Sequence, residues 1–176
     1  MWEVKSETNT IYILGSVHIA KKEMYPLPDI ITQAYETSEA IAVEIDISEI
    51  EDMEIAMKIA QKAIYQGDET LEENVSPELF SKIEKKFREM GLTKKIYNKF
   101  KPWYAVITMT MMDAKEQGYE QAQGIDMHFM ERAGEDGKEI YELESIEKQL
   151  ELFDYLDDAM NVYVEYALSE IDSDEN

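Results

Sequence analysis

Ala40-Ile41-Ala42-Val43-Glu44-Ile45-Asp46 decides how this chain is read. From Ala40 to Ile45 a single glutamate interrupts an apolar run of strand length, too short for an ordinary helix. Ahead of it, Pro26 and Pro28 introduce a segment from about Asp29 to Thr37 in which Ile30, Ile31, Ala34 and Tyr35 recur at helical spacing. Behind it, Ser48 with Glu51 three residues on has the form of a capping box. Met53, Ala56, Met57, Ala60, Ala63 and Ile64 then form one apolar stripe that ends near Gly67. A strand framed by helices calls for crossover connections and parallel neighbours.

Working outward, Trp2 to Lys5 and Ile11 to Leu14 are β-prone runs separated by the turn signal Ser6-Glu7-Thr8-Asn9-Thr10, which predicts a hairpin. On the far side, Glu139 to Leu143 reads as a third inner strand after the turn Gly134-Glu135-Asp136-Gly137. Helices fill the interval. Ser76-Pro77-Glu78 reads as an N-cap with proline in the first helical position, and Leu79, Phe80, Ile83 and Phe87 carry that helix to Gly91. A short helix from Lys94 to Phe100 follows, then a helix from Trp103 to Gln117 that is apolar almost all round at its start and therefore needs cover. Another short helix spans about Asp126 to Ala133, and Phe153, Leu156, Met160, Tyr163 and Ala167 mark a long one starting at Ser145. The predicted class is α/β, with α+β as the alternative: a mainly parallel sheet with an N-terminal hairpin, rich in helices. Residues 1–170 form the folded part and 171–176 an acidic tail.

Composition narrows the function. At 176 residues with a net charge of −22, the chain repels phosphate backbones and anionic membrane surfaces, so nucleic acid is not expected as a partner. With 44% hydrophobic and 10% aromatic residues it is expected to fold. The absence of cysteine removes disulfides, a thiol nucleophile and thiolate metal sites, and leaves the redox compartment open. The run from Trp103 to Met112 is far below the roughly 20 residues of a membrane span. Met1-Trp2-Glu3-Val4 lacks the features of a secretory signal, which leaves a cytoplasmic protein or one whose leader has been removed.

In open α/β sheets, ligands collect beyond the carboxyl ends of the strands. Three such ends carry suitable groups: Gly15-Ser16-Val17-His18, Glu44 with Asp46, and Glu142 with Glu144. Gly15 is expected to let the backbone turn so that the His18 ring faces back across the strand ends. Glu44, inside an apolar strand, is expected to be buried and therefore to need a partner or a cation. Glu144 reads equally as a site carboxylate or as helix-start charge, Asp46 as a loop residue, His128 as structural, and Met109, Met111 and Met112 as core filling. One imidazole and two carboxylates suit Mn²⁺, Co²⁺ or Zn²⁺, weakly held because the shell is incomplete. No HExxH, phosphate loop, dinucleotide fingerprint or GxSxG elbow occurs.

Ile11-Tyr12-Ile13-Leu14-Gly15-Ser16-Val17-His18 resembles the strand and GxxH motif that opens the TraB/GumN/PrgY family, related to the Tiki metalloproteases. Met24-Tyr25-Pro26-Leu27-Pro28, Val43-Glu44-Ile45-Asp46, Lys101-Pro102-Trp103, Gly124-Ile125-Asp126 and Leu143-Glu144-Ser145-Ile146-Glu147-Lys148-Gln149 follow in the order of that family's further signatures. The resemblance implies a divalent-metal-dependent, peptidase-like hydrolase. In it His18 and Glu44 act as metal ligands, Glu44 and Glu144 as catalytic carboxylates, and Gly15, Ser16, Asp46 and Gln149 line the binding site. It also implies a peptide substrate, and a second half with another GxxH motif that these residues lack. A homodimer or a missing C-terminal half is therefore expected to complete the site. The alternative is a non-catalytic module that sequesters a peptide or protein in the same cleft.

Overall fold

The computed structural model describes residues 1–46 and 53–156. In chain order the elements are β1 (Trp2–Lys5), β2 (Thr10–Ile13), α1 (Asp29–Thr37), β3 (Ala40–Val43), α2 (Met53–Ala63), α3 (Leu71–Asn74), α4 (Pro77–Glu89), α5 (Lys94–Tyr97), α6 (Pro102–Glu116), α7 (Ile125–Asp136), β4 (Glu139–Glu142) and α8 (Ile146–Leu156), with 3₁₀ turns at Lys22–Met24 and Gln121–Gln123. The fold is mixed α/β and mainly helical. The chain divides into two compact units, Met1–Ile50 with Gly118–Ser145 and Glu51–Gln117 with Ile146–Asn176.

The first unit holds all the described strands. β1 and β2 pair antiparallel with Trp2 opposite Ile13 and Lys5 opposite Thr10. The turn between them is closed by Ser6, whose hydroxyl accepts from the Asn9 N–H at 2.9 Å. β3 and β4 pair in parallel, Ala40 opposite Glu139 and Val43 opposite Glu142, as a strand framed by helices requires. The two pairs are separate sheets, so the hairpin stands apart from the parallel strands it was expected to border.

Tyr35 is the hub of this unit. The Arg132 guanidinium and the Lys138 ammonium lie over its ring at 4.5 and 4.3 Å, and its hydroxyl donates to Asp136 at 2.9 Å. Burial, followed by the hydrogen bond to Asp136, pushes its pKa up to about 12. Lys138 also donates to the carbonyls of Tyr35 at 2.7 Å and Ser38 at 2.6 Å, so one cation closes the carboxyl end of α1.

α7 runs past the turn expected at Gly134 to Gly137. Its last turn is closed by a Schellman arrangement, in which the Lys138 N–H reaches the Ala133 carbonyl at 2.9 Å while Gly137 takes φ 67°. Only Gly137 needs the left-handed backbone, so Gly134 and its neighbours remain helical.

The second unit is helical. Ser76 caps α4 by accepting from the Leu79 N–H at 3.2 Å, with Pro77 behind it. Leu79, Phe80, Ile83 and Phe87 of α4 are buried together with Tyr97, Trp103, Val106 and Met109. The Phe87 and Tyr97 rings stack at 5.3 Å. α6, the helix whose composition called for cover, therefore finds much of it inside its own unit. Among the described residues no helix is long and apolar enough to cross a membrane. The Ser48–Glu51 capping box, the end of the long helix beyond Leu156 and the acidic tail lie outside the described residues.

Candidate functional site

Beyond β2 the chain runs without regular structure to His18, and the segment that leads into α7 holds it there. Ala20 and Glu120 exchange both backbone hydrogen bonds, at 3.2 and 2.9 Å, and the Ile125 N–H donates to the Val17 carbonyl at 2.9 Å. The Tyr25 hydroxyl donates to the Gln123 carbonyl at 2.8 Å, adding a side-chain tie to the same segment. Gly124 makes the close approach possible, because a Cβ there would sit 2.5 Å from the His18 carbonyl oxygen.

This backbone lattice brings three side chains together. His18 Nδ1 lies 2.5 Å from Asp126 Oδ2, and His18 Nε2 lies 3.9 Å from Glu44 Oε2. An ionised carboxylate only accepts, so this contact favours the ring form with its proton on Nδ1. The His18 side chain is 69% exposed and that of Glu44 55%, whereas that of Asp126 is 12% exposed. The remaining Asp126 oxygen, Oδ1, is buried with no hydrogen-bond partner.

Glu44 is thus not the buried charge that its apolar neighbours suggested. β3 ends at Val43, and the next side chain reaches solvent. Its carbonyl accepts from the Glu144 N–H at 2.9 Å, so the two carboxylate-bearing residues are lateral neighbours where the parallel strands end. Glu144 is half-buried. Asp46 donates its N–H to Glu142 Oε1 at 2.8 Å.

Gly15 departs from expectation in a different way. It does not adopt a positive φ, and a Cβ on it would meet nothing within 4 Å, so the turn does not require glycine. Ser16 is exposed in the same open stretch. Gln149 lies on α8 in the second unit. His128 packs its ring against Tyr25 at 5.0 Å and Phe129 at 5.1 Å, and burial, then Arg132, lowers its pKa. That fits a structural residue.

Asp126 is the residue that motif reading overlooked. Its signal was present in Gly124-Ile125-Asp126, but an acidic residue in the first turn of a helix is equally explained by the helix dipole. Among the described residues no group of three or more His, Asp or Glu side chains is placed to hold a metal ion. What the geometry offers is a pair of donors, Nε2 and a Glu44 oxygen. Two metal–ligand bonds of about 2.0–2.2 Å reach across such a gap, so the donor set fits one side of a divalent cation's shell.

The TraB/PrgY/gumN family model matches residues 1–176. The uncharacterized protein YbaP of Escherichia coli (strain K12) is 25% identical over 147 residues, which cover 84% of this chain and 53% of YbaP. An uncharacterized protein of Treponema pallidum (strain Nichols) is 21% identical over 159 residues, covering 88% of this chain and 46% of the relative. The chain thus spans about half the length of the curated relatives it matches. No solved structure matches it.

Proposed function

The chain belongs to the TraB/PrgY/gumN family, and from that premise we propose that its first unit supplies part of the site of a divalent-metal-dependent hydrolase acting on peptides or on the amino-terminal segments of proteins. The observation that carries this reading is the convergence of His18 Nε2 and Glu44 Oε2, 3.9 Å apart and open to solvent where the parallel strands end. His18 and Glu44 would hold the cation, with Mn²⁺, Co²⁺ or Zn²⁺ as the fitting ions. When bound, such an ion supplies Lewis acidity and brings the pKa of water to about 7. Glu144 is the general base: its carboxylate takes a proton from water as the oxygen attacks the peptide carbonyl. The proton then passes to the departing amine as the C–N bond breaks.

Titration calorimetry with Mn²⁺ and Zn²⁺, paired with mass spectrometry of a peptide mixture, tests this. Weak one-to-one uptake that His18→Ala and Glu44→Gln each reduce is the expected result for this chain, and cleavage that needs the ion is expected where the rest of the site is supplied. Tight uptake untouched by either substitution would remove these residues from the site. Peptide binding that is indifferent to the ion and to both substitutions would instead favour a sequestering module.

A further inference from the structure

We infer that Asp126 is the positioning residue of this site: it fixes the His18 ring in the Nδ1–H form and so turns the Nε2 lone pair toward Glu44. The inference deepens the hydrolase reading and rests on it for the use to which Nε2 is put.

Three independent features of the molecule converge on this role. Asp126 Oδ2 is 2.5 Å from His18 Nδ1, and an ionised carboxylate can only accept there. Once Nδ1 holds the proton, a neutral ring presents its lone pair at Nε2, which faces the Glu44 carboxylate at 3.9 Å. Two electron-rich atoms face one another across that gap, and an arrangement of this kind is made useful by a cation or a proton donor between them.

The burial of Asp126 points the same way. Its Oδ1 is enclosed with no partner, a costly arrangement for a carboxylate oxygen and unnecessary for stabilising a helix start, where an exposed acidic residue serves equally well. The return on that cost is the contact of Oδ2 with an imidazole that is otherwise 69% exposed and would be free to rotate.

Finally, the backbone around Asp126 is tied to the backbone around His18. The Ile125 N–H binds the Val17 carbonyl, Ala20 pairs with Glu120, and Gly124 leaves no room for a Cβ beside the His18 carbonyl. Both partners are therefore set by the same lattice, as a carboxylate that orients a ligand histidine requires.

The decisive measurement is the tautomer of His18. With only two histidines in the chain, ¹⁵N-histidine labelling gives two ring spectra, and His18→Ala assigns them. At alkaline pH and without metal, the native chain is expected to show His18 as the Nδ1–H form. Asp126→Ala should lose that bias while the His128 signals, set by contact with Tyr25 and Phe129, stay in place as the internal control of folding. Mn²⁺ affinity should fall about 10–100-fold in the same variant.

An unchanged tautomer in a folded Asp126→Ala chain overturns the inference, as does unchanged Mn²⁺ affinity. Should the His128 signals collapse, Asp126→Asn replaces it, because the amide keeps the shape and removes the charge. There a pure Nδ1–H form with native Mn²⁺ affinity overturns the role, and a mixed tautomer with weakened affinity upholds it. A native chain that takes up no cation removes the metal from the proposed function alone, since the tautomer is read without metal.

Discussion

A methyl group added at Gly124 would lie 2.5 Å from the carbonyl oxygen of His18 and 2.8 Å from Asp126 Oδ1, whereas one added at Gly15 would meet nothing within 4 Å. The two glycines, 109 positions apart in one unit, therefore make opposite predictions. Gly124→Ala should destabilise the protein by about 1–3 kcal/mol, the usual cost of forcing atoms into a filled space, and should also disturb the His18 contact with Asp126. Gly15→Ala should be neutral, or stabilising by about 0.4–1 kcal/mol through the unfolded chain. Urea unfolding of both variants checks this, and equal midpoints would show that the approach of the two loops is not tight. The contrast also shows how far the site was legible in the sequence. Glu44 directly follows β3 and His18 lies in the loop beyond β2, and strands with the loops that leave them can be read from periodicity. Asp126 could not be placed by the same rule, because it follows no strand, and its position depends on long-range backbone pairing between Val17 and Ile125 and between Ala20 and Glu120. Gly15 drew attention by preceding a histidine, while the glycine that the structure needs is the one whose neighbour comes from a distant segment.

At the scale of elements, α1 is tied through Tyr35 to α7 and to Lys138 just ahead of β4, and that dependence gives a pH signature. The hydroxyl is pushed up to about 12 from its ordinary 10.0, chiefly by burial. The folded pKa lies above the unfolded one, so the contribution is fully present below about pH 10. Above that, the unfolded chain sheds a proton that the folded chain retains, and the contribution is lost as the pH climbs toward 12. Tyr35→Phe should lower stability at neutral pH by about 1 kcal/mol through loss of the bond to Asp136. It should also flatten the alkaline decline between pH 10 and 12. Circular dichroism melts of the two proteins across that range decide it, and parallel curves would show that Tyr35 ionises freely. Most of these elements could be read in advance: the hairpin turn at Ser6, the proline-led start of α4 and the apolar stripe of α2 are local signals. What could not be read was sheet membership. The pairing of β3 with β4 joins residues about a hundred positions apart, and the hairpin's separation from them is a tertiary outcome. The one-turn helix α3 also escaped. The Leu71 N–H is bound by the carbonyl of distant Asn98, so its order comes from contact and not from propensity.

For the whole molecule the governing quantity is charge. With 17 basic and 39 acidic side chains the net charge is −22, so even complete pairing leaves 22 carboxylates without a cation. Pairs such as Lys86 with Asp113 at 2.8 Å and Lys94 with Glu72 at 2.7 Å relieve this only locally. Self-repulsion of this kind opposes the compact state, and it is screened as the Debye length falls from about 30 Å at 0.01 M salt to about 3 Å at 1 M. Salt should therefore stabilise the fold: a gain of about 1–2 kcal/mol, or about 2–8 °C in the thermal midpoint, between 0.01 and 0.5 M sodium chloride. Association could mimic such a gain, because Trp2, Val4, Ile11 and Ile13 are all exposed, and the register of β1 on β2 sets them opposite one another in pairs. Protein concentration separates the two causes. Screening within one chain raises the midpoint equally at every concentration, whereas association through the hairpin makes it climb with concentration and shifts the emission of the exposed Trp2, leaving the buried Trp103 as an unchanged reference. The expected outcome is a concentration-independent rise, since the repulsion is shared by the whole chain and the hairpin is only a small part of its surface. A midpoint that falls with salt would mean that favourable ion pairs outweigh the excess of carboxylates, and the charge of −22 would then be no measure of the strain on the fold.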